Sequence, residues 1–303
     1  MKQMVKSRKM LDNVQNLLIT CVPFIGFCLF QLIPIGVALY MSFTELHTTV
    51  ISDAIWVGIQ NYKWVFSQKR MLEAYLHTFY YCLNVPFALG LGMLIAYLLQ
   101  KIKRGRRFFN TVFFIPYLCS VVASTLIFRM MYEEHYGILN SLLSSIGYMP
   151  VKWLTSAEMF MPSAIIMGTW CNIGYCALLY NAAFSNVDKT YYEAAELDGA
   201  NEFTKFIKIT FPAITPTTFY LLTMRLISSL QVMNETVILA GNSVGPGEMA
   251  NTVVLYLYDM AFTARITQGF GLSAASAWVL TLVILIITRL NFRLSKLWVN
   301  YDF

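Results

Sequence analysis

Six long apolar stretches run through the chain, at residues 17–43, 74–100, 108–131, 160–184, 213–239 and 270–290, with polar segments between them. A helix crosses a bilayer with about 20 apolar residues, and each stretch is that long. Runs of this length predict helices, so the expected fold is all-α: a polytopic bundle of six transmembrane helices. Between the spans, residues 56–66 space their aromatics like an amphipathic surface helix. Residues 255–262 are apolar but too few to cross, which suits a re-entrant or interfacial segment. No fixed-period repeat and no low-complexity linker divides the chain.

Composition agrees with this pattern. Hydrophobic residues make up 57% of the chain and charged residues 13%, about half the charged share of a soluble domain. With a mean hydropathy of +0.58, disorder and an ordinary soluble enzyme are both excluded. The net charge of +6 gives no reason to expect a nucleic-acid partner, because Lys and Arg sort by loop. Residues 1–16, 101–107, 185–212 and the segment from Arg289 onward carry 15 of them, and the alternate loops 44–73, 132–159 and 240–269 carry 5. Positive loops stay in the cytoplasm, so both termini are expected there. The first run follows Lys2, Lys6, Arg8 and Lys9, yet it is too long for a signal peptide and no A-x-A site follows it, so it reads as an anchor. The expected layout is a basic cytoplasmic N-terminus (1–16), a first transmembrane helix (17–43), an extracytoplasmic loop (44–73), a permease core (74–290) and a cytoplasmic C-terminus (291–303).

The usual catalytic and nucleotide motifs find no suitable setting. No Gly-Lys dipeptide occurs, hence no Walker A loop, and there is no H-E-x-x-H; Gly241 through Gly245 (Gly-Asn-Ser-Val-Gly) spells G-x-S-x-G, but it follows an apolar span and not the strand of a nucleophile elbow. The Gly-x-Gly pairs at Gly90, Gly245 and Gly269 lack the strand–turn–helix setting of a dinucleotide site. His47, His77 and His135 share no metal-ligand spacing. Cys21, Cys28, Cys82, Cys119, Cys171 and Cys176 lie in apolar runs and read as buried thiols. No catalytic residue, metal or bound cofactor is expected. Energy for uphill transport would come from a partner or an ion gradient.

Residues 185–212 form more than a connection. Asp188 or Thr190 can cap a short helix, with Glu193 positioned as a capping-box carboxylate for Thr190, and Gly199 can end it. A second amphipathic turn carries Phe203, Phe206, Ile207 and Ile209, and Pro212 opens the fifth span. The alanines leave a smooth face that another protein can approach.

Glu193-Ala194-Ala195, Gly199, Ile209 and Pro212 stand at the spacing of the E-A-A-x-x-x-G-x9-I-x-L-P motif, with Phe211 in place of the usual Leu. The chain thereby resembles the inner-membrane permeases of bacterial ABC importers with the type I fold. It is most similar to those for oligosaccharides, such as the larger maltose permease and the glycerol-3-phosphate permease. Ile33-Pro34, Gly58 through Tyr62, Phe114 through Tyr117, Gly137 through Asn140 and Arg293 through Trp298 add to the likeness. The resemblance implies that Glu193, Ala194, Ala195, Asp198, Gly199, Ile209 and Pro212 belong to a loop that docks on a separate ATPase, which holds ATP and Mg. It implies a second permease, two ATPase copies and an extracytoplasmic solute-binding protein in a bacterial plasma membrane.

Polar residues at membrane depth are costly unless they face a cavity or a partner. In the fifth span Arg225 and Ser229 lie on one stripe, and Ser228, Gln231, Asn234 and Glu235 on another. The fourth span holds Trp170, Asn172 and Tyr175, and the third has Tyr117 beside Pro116. Aromatic faces with hydrogen-bonding groups suit a sugar. By resemblance, Tyr117, Tyr175, Arg225, Ser229 and Val232 fall where a maltose-type permease lines its cavity. Packing, helix–helix bonds or a partner carboxylate for Arg225 account for the same residues, and a substrate-facing Arg225 would suit an acidic solute. An ion-coupled carrier predicts inverted repeats with interrupted helices, and none is apparent. A membrane enzyme would need a reactive cluster near one interface, and the residues supply none.

Overall fold

In hydrocarbon an unbonded peptide group costs several kcal/mol, so apolar runs become helices that satisfy their own backbone. The computed structural model describes residues 19–48, 50–102, 104–263 and 269–300. The basic residues Lys2, Lys6, Arg8 and Lys9 of the N-terminus, Lys103 and Arg265 lie outside the described residues.

The described chain divides into two compact units, the first holding the residues up to Ser67 with Leu257–Val279 and the second holding Gln68–Tyr256 with the residues from Leu280 onward. In the first unit, α1 (Ile19–Ser42) contains a π-turn over Cys28–Leu32. That turn leads into Pro34, which has no N–H to bond the preceding turn. Next comes a two-stranded ribbon of β1 (Thr44–Glu45) and β2 (Ile55–Trp56), pairing Thr44 with Trp56, and then α2 (Gln60–Ser67). The expected helix over 56–66 therefore starts only at Gln60. Gly58 turns the chain with φ +61°, and Trp56 stacks on Phe43 at 5.5 Å. Asn61 Nδ2 donates to the carbonyls of Ser42 (3.0 Å) and Thr44 (2.9 Å), which ties the ribbon to α2.

The second unit is built on α3 (Lys69–Lys101), α4 (Arg106–Leu118), α5 (Val121–Met131), α6 (Ile138–Ser145) and α7 (Ala157–Ser185). It continues with α8 (Lys189–Leu197), α9 (Glu202–Lys205), α10 (Thr215–Leu230) and α11 (Asn234–Leu239). The short apolar α12 (Val253–Phe262) and the long α13 (Phe270–Ser295) each run from one unit into the other. Among the described residues, four helices, α1, α3, α7 and α13, are long and apolar enough to cross a membrane, and a fifth span is added if α4 and α5 count as one bent span. These two meet at 96°. Pro116 removes one bond from the last turn of α4, and Cys119 and Ser120 turn extended. The fifth expected span is also divided. At 16 residues, α10 is roughly 24 Å long, short of the ~30 Å hydrocarbon core.

The unbroken α7 is the axis of this unit. Tyr81, Phe128, Tyr132 and Phe160 pack around one part of it, and Val85, Leu89, Tyr180 and Leu221 around the other. Small residues let backbones approach, as helix association in lipid requires. A Cβ at Gly92 of α3 would come within 2.5 Å of Cys176 Cβ, and one at Gly174 would overlap the Phe113 carbonyl of α4. Cys176 is buried, but Cys119 is exposed at the bend and the other four cysteines are half-buried. The expectation of six buried thiols holds for Cys176 alone: the α4–α5 bend uncovers Cys119, and neighbouring helices cover Cys21, Cys28, Cys82 and Cys171 only in part.

Gly174→Val should separate α4 from α7 and lower stability by about 1–3 kcal/mol. Gly90→Ala, with open space around it, should be neutral or stabilising by about 0.5–1 kcal/mol. Thermal unfolding of the detergent-purified chain, followed by size-exclusion fluorescence, compares the two. Equal melting temperatures would show that the α4–α7 approach is not a constraint.

Candidate functional site

The first candidate is the loop formed by α8 and α9. Asp188, not Thr190, caps α8: its Oδ1 accepts the Thr190 N–H at 2.9 Å, and that bond holds its carboxyl below the usual aspartate range. Glu193 thus lies beyond the third helical position, out of capping-box reach, and is exposed together with Ala194. Gly199 ends the helix at φ +74°, where the Ala200 N–H reaches the Ala195 carbonyl at 2.9 Å. Asn201 caps α9 by accepting the Thr204 N–H. Lys205 Nζ donates to Glu196 of α8 (2.8 Å) and to Glu202 of α9 (3.2 Å), locking the two helices together. The bond to Glu196 raises the Lys205 pKa, and the bond from Lys205 lowers that of Glu202.

Beneath this pair, Tyr97 of α3 meets Phe206 edge-on at 5.1 Å, and the Tyr192 and Thr210 hydroxyls pair at 2.9 Å. A π-turn over Phe206–Thr210, which contains Ile209, and a short helix over Phe211–Ala213, which contains Pro212, carry the chain into α10. The outer side of the loop is apolar and uncovered: Leu197 is 90% exposed and Phe203 74%. A Cβ added at Gly199 would meet nothing within 4 Å.

The second candidate is the break between α10 and α11. Gln231 and Asn234 line a cavity of about 550 Å³ there, together with Ser228 and Glu235, so that stripe of the sequence does converge. Met233 leaves the helical conformation. The Val232 carbonyl freed by the break accepts the buried Thr252 hydroxyl at 2.7 Å. The other stripe does not face one space. Ser229 is buried, and its Oγ accepts from Asn84 Nδ2 at 3.1 Å. Val232 is buried, yet it lines the same cavity as Gln231 and Asn234. Arg225 is half-buried, and its Nε is buried with no hydrogen-bond partner among the described residues.

On α7, Tyr175 stacks on Tyr117 at 4.6 Å and 16°. Trp170 meets Phe128 edge-on at 5.1 Å. Asn172 donates to the Gly168 carbonyl of its own helix at 2.6 Å. Two asparagines take structural roles that their place in the sequence does not reveal. Asn84 is visible there as an amide inside an apolar run. Asn140 uses all its capacity, donating to the Glu134 and Val151 carbonyls and accepting from the Val151 N–H and Trp153 Nε1, all within 3.0 Å.

These features define a membrane-embedded protein with a polar break inside its bundle and an exposed two-helix loop. A family model for the inner membrane component of binding-protein-dependent transport systems matches residues 72–297. The chain belongs to that family, a transport component. It is 30% identical to the probable ABC transporter permease protein YesP of Bacillus subtilis, over 99% of this chain and 96% of the relative. It is 32% identical to the arabinooligosaccharides transport system permease protein AraP of the same species, over 90% and 86% respectively. Among solved structures it is similar to a chain of a bacterial ABC transporter involved in the import of the acidic polysaccharide alginate. The TM-score is 0.82 at 25% identity, covering 95% of this chain and 98% of that one.

Thr252→Val should leave the Val232 carbonyl unbonded at a buried position, at a cost of about 1–3 kcal/mol. Thermal unfolding checks the cost, and quicker hydrogen exchange in residues 228–237 would localise it. A melting temperature and exchange pattern equal to wild type would show that the break does not depend on Thr252.

Proposed function

We propose that this chain is the permease subunit of an ATP-driven importer and forms half of the translocation pathway for a sugar or oligosaccharide. Its family membership and the sugar-transport names of its relatives support that reading. The observation that carries the coupling role is the exposed apolar face of α8 and α9, braced from behind by Lys205 and Tyr97. Bare apolar surface of this kind marks a protein interface.

In this reading Glu193, Ala194, Ala195, Asp198, Gly199, Ile209 and Pro212 form the coupling loop on a cytoplasmic ATPase. Two ATPase copies hold ATP and Mg, and this chain binds no cofactor itself. A second permease completes the pathway, and an extracytoplasmic solute-binding protein delivers the sugar. The chain sits in the bacterial plasma membrane as six spans with both termini in the cytoplasm, following the 15-to-5 division of basic residues. A push on α8 reaches α10 through the π-turn at Phe206–Thr210 and arrives at the break lined by Gln231 and Asn234. Tyr117, Trp170, Asn172, Tyr175, Arg225 and Ser229 complete the pathway region, some facing solute and some holding helices in place. An arginine at mid-depth costs at least about 2.5 kcal/mol on insertion scales, and a water-filled pathway offsets that cost.

Gly199→Asp should reduce ATPase recovered with the purified permease at least tenfold. The left-handed backbone disfavours a side chain by roughly 1–2 kcal/mol, and the carboxylate enters the approach surface. Undiminished recovery at normal expression would remove α8 from the docking role. A phosphatase fused after Phe303 should be inactive, whereas a cytoplasm-dependent fluorescent reporter there should be active. The reverse pattern would invert the topology.

A further inference from the structure

We infer that a second saccharide site, for an uncharged sugar unit, lies in the cavity between the end of α5, the turn that follows it and the 153–155 segment. The inference rests on the proposed import function, which puts the 132–159 loop on the extracytoplasmic side, so a sugar meets this cavity before the break between α10 and α11.

The cavity measures about 670 Å³ and is lined by Leu126, Arg129, Glu133, Glu134, His135 and Trp153, among others. That volume falls within the usual range for small-molecule sites. Its polar groups are held in place without being used up. Glu133 Oε2 accepts the N–H groups of His135 (2.7 Å) and Tyr136 (2.8 Å), and Glu134 Oε2 accepts the Thr155 hydroxyl at 3.1 Å. The second oxygen of the Glu134 carboxylate makes no hydrogen bond among the described residues. Trp153 is fixed by its Nε1–H bond to Asn140 and by Tyr132, 5.5 Å away. The Arg129 guanidinium lies beside Gly241, whose missing side chain leaves it room; a Cβ there would come within 2.6 Å of it.

A pyranose or furanose needs this combination: an apolar ring face against an aromatic, and neighbouring hydroxyls that donate to fixed carboxylates and accept from a guanidinium. Pre-fixed groups spare the ligand the cost of ordering them. Two carboxylates against one guanidinium leave the cavity net negative when His135 is neutral, which disfavours a carboxylated sugar and selects an uncharged one. The cavity is separate from the break lined by Gln231 and Asn234, with no lining residue in common.

The test is direct binding to the full chain, with its transport partners, in lipid nanodiscs free of glycoside detergent. The probes are maltose, arabinobiose and digalacturonate, titrated by calorimetry without the solute-binding protein. At least one neutral disaccharide should bind saturably, at least tenfold tighter than digalacturonate. Arg129→Gln and Glu134→Gln should each weaken it at least fivefold. Leu126→Trp, which fills the cavity and spares its polar groups, should abolish binding at an unchanged melting temperature. The proposal is overturned if no neutral disaccharide binds, if digalacturonate binds as well as the neutral sugars, or if Leu126→Trp binds like wild type. Uptake into proteoliposomes is read separately: binding without any sugar uptake would sink the import function and leave the site standing.

Discussion

A backbone inside hydrocarbon has no water to turn to, and the second unit is organised around that fact. Its axis is α7, continuous over 29 residues, which closes its own hydrogen bonds except at Pro162 and offers small residues to its neighbours. Because this one element is self-sufficient, the chain can break two helices beside it. Each break is repaired locally. Thr252 bonds the stray carbonyl of Val232, and the Ser120 carbonyl takes the Ser124 N–H just past the α4–α5 bend. The polar cavity lined by Gln231, Asn234, Ser228 and Glu235 lies at the second of these breaks.

The helix that ends at this opening begins at the exposed α8–α9 loop, with no flexible linker in between. Glycine, proline and π-turn features fall at the junctions, and ion pairs and aromatic contacts brace the stretch between them. Lys205 holds α8 to α9, and Tyr97 seats Phe206 against α3. A displacement at one end of such an assembly has few degrees of freedom in which to dissipate before it reaches the other.

Much of this was legible in the amino-acid order. The long apolar runs gave α1, α3, α7 and α13, because length and hydropathy alone decide what can cross a bilayer. The α8–α9 loop was legible too, since its caps and its Gly199 stop are local chemistry. Pro116 marks where α4 weakens, although a proline alone does not decide the matter, since Pro162 sits inside the continuous α7. The break at 231–233 had no such sign: Gln231-Val232-Met233 contains neither proline nor glycine, and the bond that stabilises it comes from Thr252, 20 positions later. Ser229 shows the same limit. Its helical phase with Arg225 suggested a common space, but Asn84, on a helix far away in sequence, claimed its hydroxyl. Asn140 and the cavity beyond α5 depend on loop residues that converge only after folding.

The emptiness around Gly199 carries a further consequence. Nothing among the described residues comes within 4 Å of the place where its side chain would be, and most of the apolar surface of Leu197 and Phe203 is bare. Folding of this chain therefore constrains Gly199 through its left-handed backbone and bears only weakly on the outward faces of Leu197 and Phe203. Under the proposed docking, those outward faces answer to the partner polypeptide, and this surface drifts, when it drifts, in step with its complement.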